Sequence, residues 1–278
     1  MKKGISIWAF TDRTPDVLFP LAKKCGYDGV EMAVGPTGPI TFDSTKEEME
    51  ALREKAASYG IEFYSLVCDI CWDYSISSND PKVRKKAEEI IIKQLEIASW
   101  LGCDTILVIA GMVENVKPGG EIVPYDVAYM RAFESISRLA KYAEKYDVNL
   151  AIENVGNKLL LSPLESRDFV DKVGSTKVKF YFDVGNVIKT GYPHHWIDIL
   201  GSRIAKVHFK DNARIPETNG WKSVHLLQGM INYDEVMSAF ARIGYDDWVT
   251  AEVFPKCEGD MEVLEINSAA MDQILKRL

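Results

Sequence analysis

The segment Asn149-Leu150-Ala151-Ile152-Glu153-Asn154 decides the fold, because it is a short apolar run that ends on a carboxylate. Three later segments have the same form and end on Asp183, His208 and Glu252. Short apolar runs are typical of parallel strands, which are buried on both faces, and a charged side chain at the end of each run lies where burial stops. The pattern predicts four strands that present three carboxylates and one imidazole at one edge of a sheet.

Four more apolar segments of this kind occur in the first half of the chain, and amphipathic stretches with helical spacing separate all eight. The predicted strands are Lys3–Trp8, Gly29–Met32, Ile61–Val67, Asp104–Ile109, Asn149–Ile152, Val178–Phe182, Ile204–Val207 and Trp248–Ala251. Eight units in 278 residues average roughly 35 residues each, which suits a closed parallel barrel with an outer ring of helices. We predict an α/β protein with a single (β/α)8 TIM barrel domain over residues 1–278.

An open, doubly wound sheet is the competing architecture. Its first strand is usually followed by a glycine-rich phosphate turn, whereas Ile7-Trp8-Ala9-Phe10-Thr11-Asp12 follows here. Glycines after several predicted helices, such as Gly60, Gly102 and Gly244, supply the left-handed residue that returns the chain to the sheet. These features favour the barrel.

Composition narrows the classes of partner. The chain is 47% hydrophobic and 27% charged, as expected of a globular protein with one sizeable core. Its net charge of −8 argues against a large nucleic-acid surface, and its apolar windows are too short for a membrane span. Met1-Lys2-Lys3 leads directly into the first strand without an export signal. We therefore expect a cytoplasmic protein that binds small molecules.

The cysteines give little functional signal. Five are scattered along the chain, and the one close pair is Cys68 and Cys71. No second pair is present to complete a zinc site. Two reduced thiols at a strand end are the favoured interpretation, with a redox pair as the alternative.

In a TIM barrel, residues at the carboxyl ends of the strands face the active-site mouth. Glu153, Asp183, His208 and Glu252 end the predicted strands five to eight. Three carboxylates at one rim would repel each other unless a cation compensates their charge. Oxygen and imidazole ligands in this combination suit a divalent metal ion.

The chain resembles the sugar-phosphate isomerase/epimerase family of xylose-isomerase-like barrels, which includes ketose 3-epimerases and L-ribulose- or L-xylulose-5-phosphate 3-epimerases. The resemblance spans nearly the whole chain and is densest in Ala151–Val155 with Leu161–Glu165, Tyr181–Asn186, Gly191–Pro193 with Trp196-Ile197, and Lys206–Asp211. It implies that Glu153, Asp183, His208 and Glu252 bind Mn²⁺, Co²⁺ or Mg²⁺, with Zn²⁺ as a further option. It also implies that Glu153 and Glu252 are the acid/base pair.

The chemistry suits this ligand set. A proton beside a carbonyl group is too weakly acidic for a free carboxylate unless a metal stabilises the developing enediolate. One glutamate would remove the proton from C3 of a ketose or ketose phosphate and the other would return a proton on the opposite face. A shift of proton and carbonyl between C1 and C2 would instead give aldose–ketose isomerisation. A lyase resembling inosose dehydratase and a non-catalytic sugar-binding barrel are less favoured interpretations of the same residues.

Other residues near the predicted strand ends are candidates for substrate binding. They are Trp8, Glu31, Lys158, Asn186, Lys210 and Arg214. The three cations among them, together with the resemblance to the pentulose-phosphate enzymes, favour a phosphorylated substrate. Asn154 and Asn186 could orient the carboxylate ligands. His194 and His195 are expected to lie outside the site.

Two residues depart from the family pattern. Asn186 stands where free-sugar 3-epimerases often carry a histidine three residues after the aspartate ligand, and Gln228 stands where the family usually has glutamate. The first departure argues against the free-sugar branch, and the second, which loses a carboxylate, suggests a shift in the choice of substrate. A related barrel, the metal-dependent apurinic endonuclease, needs many histidines, and this chain has four. Barrels of this family commonly pair through their outer helices, so a homo-oligomer is a further expectation.

Overall fold

In a computed structural model of the chain, which describes residues 1–115, 120–254 and 259–277, eight parallel strands close into a barrel. The barrel strands are β1 Lys2–Ser6, β2 Gly29–Val34, β3 Ser65–Cys68, β4 Thr105–Val108, β5 Asn149–Glu153, β6 Val178–Asp183, β7 Ile204–Phe209 and β10 Trp248–Ala251. They follow one another around the barrel in chain order, and β10 closes it by pairing with both β7 and β1. The prediction of a TIM barrel is confirmed.

Helices alternate with the strands and pack outside them. They are α1 Pro15–Lys24, α2 Lys46–Ser58, α3 Pro81–Leu101, α4 Tyr125–Tyr146, α5 Pro163–Val173, α6 Val184–Val187, α7 Pro193–Leu200, α8 Tyr233–Ile243 and α9 Asp260–Leu275. Helix α2 begins with a capping box in which Thr45 and Glu48 satisfy each other's backbone N–H groups, and Ser162 caps α5. None of the helices in the described ranges is both long and apolar enough to cross a bilayer.

The lower end of the barrel is held by a buried lysine. The Lys206 side chain is 1% exposed, and its ammonium group contacts Asp104 at 3.0 Å and Asp247 at 2.8 Å. These aspartates directly precede β4 and β10, so the two contacts tie three strands together at their amino ends. This end of a TIM barrel serves stability, whereas the opposite end carries the active site.

The chain differs from the sequence prediction at a few elements. Strand β3 is shorter than the predicted Ile61–Val67, and Trp8 lies in a 3-10 turn, Ile7–Ala9, that follows β1. Helix α6 and an antiparallel hairpin, β8 Asp211–Ile215 with β9 Gly220–Val224, were not predicted. The hairpin strands are short and mostly polar, so they lack an apolar run. The Asn219-Gly220 pair, where the turn leads into β9, is a hairpin signal that could have located them.

Candidate metal centre and active site

Four consecutive strands deliver the predicted ligands to one point. Glu153 is the last residue of β5 and Asp183 the last residue of β6, where it pairs in register with His208 of β7. Glu252 directly follows β10. One ligand atom from each of the four residues lies within 4.8 Å of the others. The structure therefore brings together the whole set that the sequence predicted.

The imidazole of His208 lies at the centre of this group. Its Nδ1 atom is 3.0 Å from Glu252 Oε2, 3.7 Å from Glu153 Oε1 and 3.9 Å from Asp183 Oδ2. Each of the four side chains is at most 10% exposed. Water therefore screens their charges poorly, and the cost of crowding three carboxylates is high.

Three nitrogen and oxygen atoms of these four side chains are buried without an aligned hydrogen bond in the described part of the chain. Among the described residues, Asp183 Oδ2, His208 Nδ1 and Glu252 Oε2 are buried side-chain atoms without an aligned hydrogen bond. Buried polar atoms are normally hydrogen-bonded, so three that converge without an aligned hydrogen bond leave a place for a cation as their shared partner. Three carboxylates and one imidazole nitrogen fit a divalent cation of the Mn²⁺, Mg²⁺, Co²⁺ or Zn²⁺ type.

Lys210 adds a positive charge at the edge of the group. Its Nζ atom lies 2.9 Å from Asp183 Oδ2 and 2.5 Å from Glu252 Oε2, although neither contact is aligned as a hydrogen bond. Burial alone would lower the pKa of Lys210, but the two carboxylates outweigh it and raise the pKa well above its ordinary value. Lys210 is therefore a cation that contacts two of the four clustered side chains.

The two glutamates differ in proton affinity. Burial raises the pKa of Glu153 to about 7, against the opposing effects of His208 and Lys210. At Glu252 burial also acts to raise the pKa, but Lys210 and His208 outweigh it and hold the pKa well below its ordinary value. Two carboxyl groups whose environments separate their pKa values suit a division into proton donor and proton acceptor.

Comparison with known proteins places this chain in a family. Residues 19–274 match the family model described as xylose isomerase-like TIM barrel. The chain belongs to the xylose isomerase-like TIM barrel family. This confirms the resemblance noted in the sequence.

Relatives and structural neighbours of this xylose isomerase-like barrel include sugar epimerases, which are isomerases. A putative L-ribulose-5-phosphate 3-epimerase of Haemophilus influenzae is 25% identical over 254 residues, which cover 90% of this chain and 86% of the relative. D-psicose 3-epimerase from Clostridium cellulolyticum, solved with D-tagatose, superposes with a TM-score of 0.81 at 21% sequence identity. The superposition covers 100% of this chain and 99% of the epimerase chain. The IOLI protein, solved with a zinc atom, gives a TM-score of 0.79 at 19% identity over 100% and 99% of the two chains.

Two asparagines fix the ligands on β5 and β6 of the xylose isomerase-like barrel. The Asn154 side chain accepts from Asp183 N and donates to Asp183 O, both at 2.8 Å. Asn186 donates its backbone N–H to Asp183 Oδ1 at 2.8 Å, and its side chain donates to Glu153 Oε1 at 3.4 Å. Asn186 therefore contacts two ligand carboxylates at once, as expected of a group that orients them.

Glu31 lies inside the barrel, beneath the mouth. Its side chain is fully buried and contacts His208 Nε2. This nitrogen lies on the far side of the imidazole from the ligand group, by which we mean Glu153, Asp183, His208 and Glu252. Ser65 Oγ donates to Glu31 at 2.9 Å, and the Tyr181 hydroxyl donates to it as well. The structure thus brings Glu31 to His208 and not to the rim, where the sequence had suggested a substrate contact.

The remaining predicted substrate residues lie farther out. Trp8 is partly buried beside β1, with the Arg13 guanidinium 4.7 Å from its ring. Lys158 is exposed and pairs with Glu114, and Arg214 is exposed and contacts Asn219 and Trp221 of its own hairpin. Of the three predicted cations, the structure brings Lys210 into contact with the ligands.

A cavity of about 160 Å³ opens beside Lys210 and Glu252. Its wall includes Gln228 and, from the hairpin, Asp211 and Ser223. Sequence reasoning did not single out Asp211, which follows Lys210 directly in the motif that carries the family resemblance. Asp211 accepts hydrogen bonds from the backbone N–H groups of Gly229 and Ile231, and so ties the turn with Gln228 to the end of β7.

Proposed function

We propose that this chain is a divalent-cation-dependent epimerase that inverts C3 of a ketose or ketose phosphate through Glu153 and Glu252. The observation that carries the proposal is the placement of these two glutamates beside one buried ligand group. Strands β6 and β7 separate β5 from β10, so the two carboxyl groups approach the mouth from different sides. That arrangement suits proton transfer at both faces of one carbon.

A bound divalent cation would polarise the ketose carbonyl and stabilise the negative charge that develops when the neighbouring C–H bond breaks. Glu153, Asp183, His208 and Glu252 would hold it. Glu252, whose pKa is held low, is a carboxylate and can accept the proton from C3. Glu153, which reaches the mouth from the other side of the group, would give a proton to the opposite face of C3. The C3 proton is thereby replaced from the other side, and the centre is inverted.

The remaining contacts concern the substrate. Lys210, which contacts Glu252, would bind a substrate oxygen. Lys158 and Arg214 would serve a phosphate group only after leaving their present partners. The name of the Haemophilus influenzae relative supports a pentulose phosphate. Trp8 and Asn186 would make further contacts with the substrate. We propose Mn²⁺, Co²⁺, Mg²⁺ or Zn²⁺ as the cation and the cytoplasm as the location.

Proton exchange tests the reaction class directly. Metal-loaded protein would be incubated in D₂O with a panel of ketoses and ketose phosphates, and deuterium followed by NMR. We expect label at C3 together with a new diastereomer. Label at C1 or C2 would instead identify an aldose–ketose isomerase at the same site. The absence of exchange across the panel would contradict proton transfer next to a carbonyl and favour a lyase or a binding protein.

A further inference from the structure

The two nitrogens of the His208 ring have separate partners on opposite sides. Nδ1 faces the ligand oxygens, 3.0 Å from Glu252 Oε2. Nε2 points into the barrel and lies 3.0 Å from Glu31 Oε1 and 3.2 Å from Glu31 Oε2. Which nitrogen carries the proton decides which one can bind a cation, because only an unprotonated imidazole nitrogen has a free lone pair.

The surroundings of Glu31 decide this question. Its side chain is fully buried, and the hydroxyl groups of Ser65 and Tyr181 both donate to it. Glu31 thus serves as a hydrogen-bond acceptor for both hydroxyl groups. The remaining neighbour, His208 Nε2, therefore has to donate as well. In the neutral imidazole this places the proton on Nε2 and leaves the lone pair on Nδ1, the atom that faces Glu153, Asp183 and Glu252.

The ring is also held in orientation. The Tyr181 ring packs against the His208 ring with 4.5 Å between their centroids. The hydroxyl group of the same Tyr181 donates a hydrogen bond to Glu31. Glu31 lies on β2 and His208 on β7, so the contact crosses the barrel interior. A buried carboxylate held by two other donors cannot easily follow a rotation of the imidazole. The His208 ring is thereby fixed with Nδ1 toward the mouth.

We propose that Glu31 is a positioning residue of the cation site, which selects the Nε2–H tautomer of His208 and so presents Nδ1 as the ligand. The proposal rests on one part of the proposed function, which is that the four strand-end residues bind a divalent cation. Partners of this kind typically change metal affinity by about 10–100-fold when they are replaced. Glu31 thus acts through His208 and does not touch the substrate.

The test is Mn²⁺ binding, measured by calorimetry without substrate. Glu31→Gln keeps the size of the side chain but removes its charge and exchanges one acceptor oxygen for an amide donor. We expect Mn²⁺ affinity to fall about 10–100-fold. The matched control is Glu62→Gln, the same exchange at an exposed residue that pairs with Lys2 on the surface. That variant should bind Mn²⁺ as the unmodified protein does.

A second measurement needs no substitution at Glu31 and therefore does not depend on whether that variant folds. The chain has four histidines, so a ¹H–¹⁵N spectrum of the imidazole nitrogens is tractable, and His208→Asn identifies the His208 signals. With Zn²⁺ bound, we expect His208 to carry hydrogen on Nε2 and the metal on Nδ1. Metal on Nε2 would overturn the proposal.

The outcomes separate this proposal from the proposed function. If Glu31→Gln binds Mn²⁺ within about twofold of the unmodified protein, the expected loss of affinity is absent. That result would overturn the role of Glu31 but would not contradict the cation site. Equal Mn²⁺ affinity in His208→Asn and the unmodified protein would instead show that the site itself is wrong, and both proposals would fall. Weakened binding in Glu31→Gln, with Glu62→Gln unchanged, supports the role of Glu31 and the cation site through which it acts.

Discussion

At the scale of single residues, Glu153 and Glu252 differ in pKa because their neighbours differ. Lys210 contacts Glu252 at 2.5 Å, whereas Asn186 donates a longer, uncharged hydrogen bond to Glu153. Burial therefore dominates the pKa of Glu153, and the nearby cations dominate the pKa of Glu252. Identical side chains thus differ in proton affinity because of their surroundings, as the proposed division into proton donor and proton acceptor needs.

Glu153→Gln should abolish epimerisation, because the amide can neither take nor return the C3 proton. General acid/base groups contribute about 10²–10⁴-fold to rate, and a loss of at least that size is expected. Mn²⁺ affinity should also fall, since one charged ligand is removed. Initial rates and calorimetry measure the two effects. His195→Ala, at an exposed position on α7, is the control and should retain both. Activity in the Glu153 variant equal to that of the control would rule out the two-glutamate mechanism.

The thiols of Cys68 and Cys71 should react slowly. Both are free, and burial raises the pKa of Cys68 to about 11 and the pKa of Cys71 still further. Less than about 1% of either thiol is thiolate at pH 8, and thiolate is the reactive form. Alkylation with iodoacetamide at pH 8, read by mass spectrometry, should label these residues only after unfolding.

This experiment is best done in a Cys257→Ser background, because Cys257 lies outside the described residues. Labelling of Cys68 or Cys71 within minutes in the folded protein would contradict the inert assignment. It would also revive the interpretation of the two thiols as a redox pair.

At the scale of elements, the hairpin β8–β9 and the turn after it build one wall of the cavity beside Glu252. Asp211 holds this wall by accepting from Gly229 N at 3.0 Å and from Ile231 N at 3.2 Å. Position 229 has to be glycine at this close approach, because a Cβ atom there would lie 2.1 Å from Asp211 Oδ1. Residues that never reach the ligand group thus shape the space next to it.

Asp211→Asn should loosen this turn, because the amide nitrogen can no longer accept one of the backbone N–H groups. A buried donor left unpaired costs about 1–3 kcal/mol of unfolding free energy. We expect a raised KM, because Gln228 on the turn lines the cavity, and an unchanged affinity for Mn²⁺. Steady-state kinetics and denaturant titration give these quantities. The same exchange at exposed Asp43 is the control. An unchanged KM together with unchanged stability would contradict the role of Asp211.

At the scale of the whole molecule, the barrel separates stability from chemistry along its axis. Lys206 joins the amino ends of three strands through Asp104 and Asp247, while the carboxyl ends of β5, β6, β7 and β10 carry the ligand group. The Lys206 ammonium group is almost fully buried, but its two partners are about half exposed and partly hydrated. Solvent therefore limits the energy that the ion pairs contribute.

Lys206→Met should lower stability and leave the ligand group intact. The substitution removes a buried cation and both of its ion pairs, and we expect a loss of about 1–3 kcal/mol after allowance for the exposed partners. Chemical denaturation measures this loss, and Mn²⁺ calorimetry checks the distant site. The affinity for Mn²⁺ should match that of the unmodified protein. A variant that is as stable as the unmodified protein would show that these contacts are not a support of the barrel.

The sequence predicts the barrel and the four ligands because short apolar runs lead to a carboxylate or an imidazole at Glu153, Asp183, His208 and Glu252. It does not predict the role of Glu31, since every residue of β2 is buried and no alternation distinguishes the barrel interior from the helix-facing side. The hairpin was missed because its strands have no apolar run. Contacts such as Asp211 with Gly229 depend on how loops fold over each other, which local patterns do not encode.

The most direct test of the account is the position of the cation. A crystal grown with Mn²⁺ would be measured at the manganese absorption edge, and the anomalous difference map would locate the ion. We predict a single strong peak in the mouth of the barrel, about 2.0–2.6 Å from oxygen atoms of Glu153, Asp183 and Glu252 and from His208 Nδ1. A peak elsewhere, contact through His208 Nε2, or no peak at these residues would contradict the account.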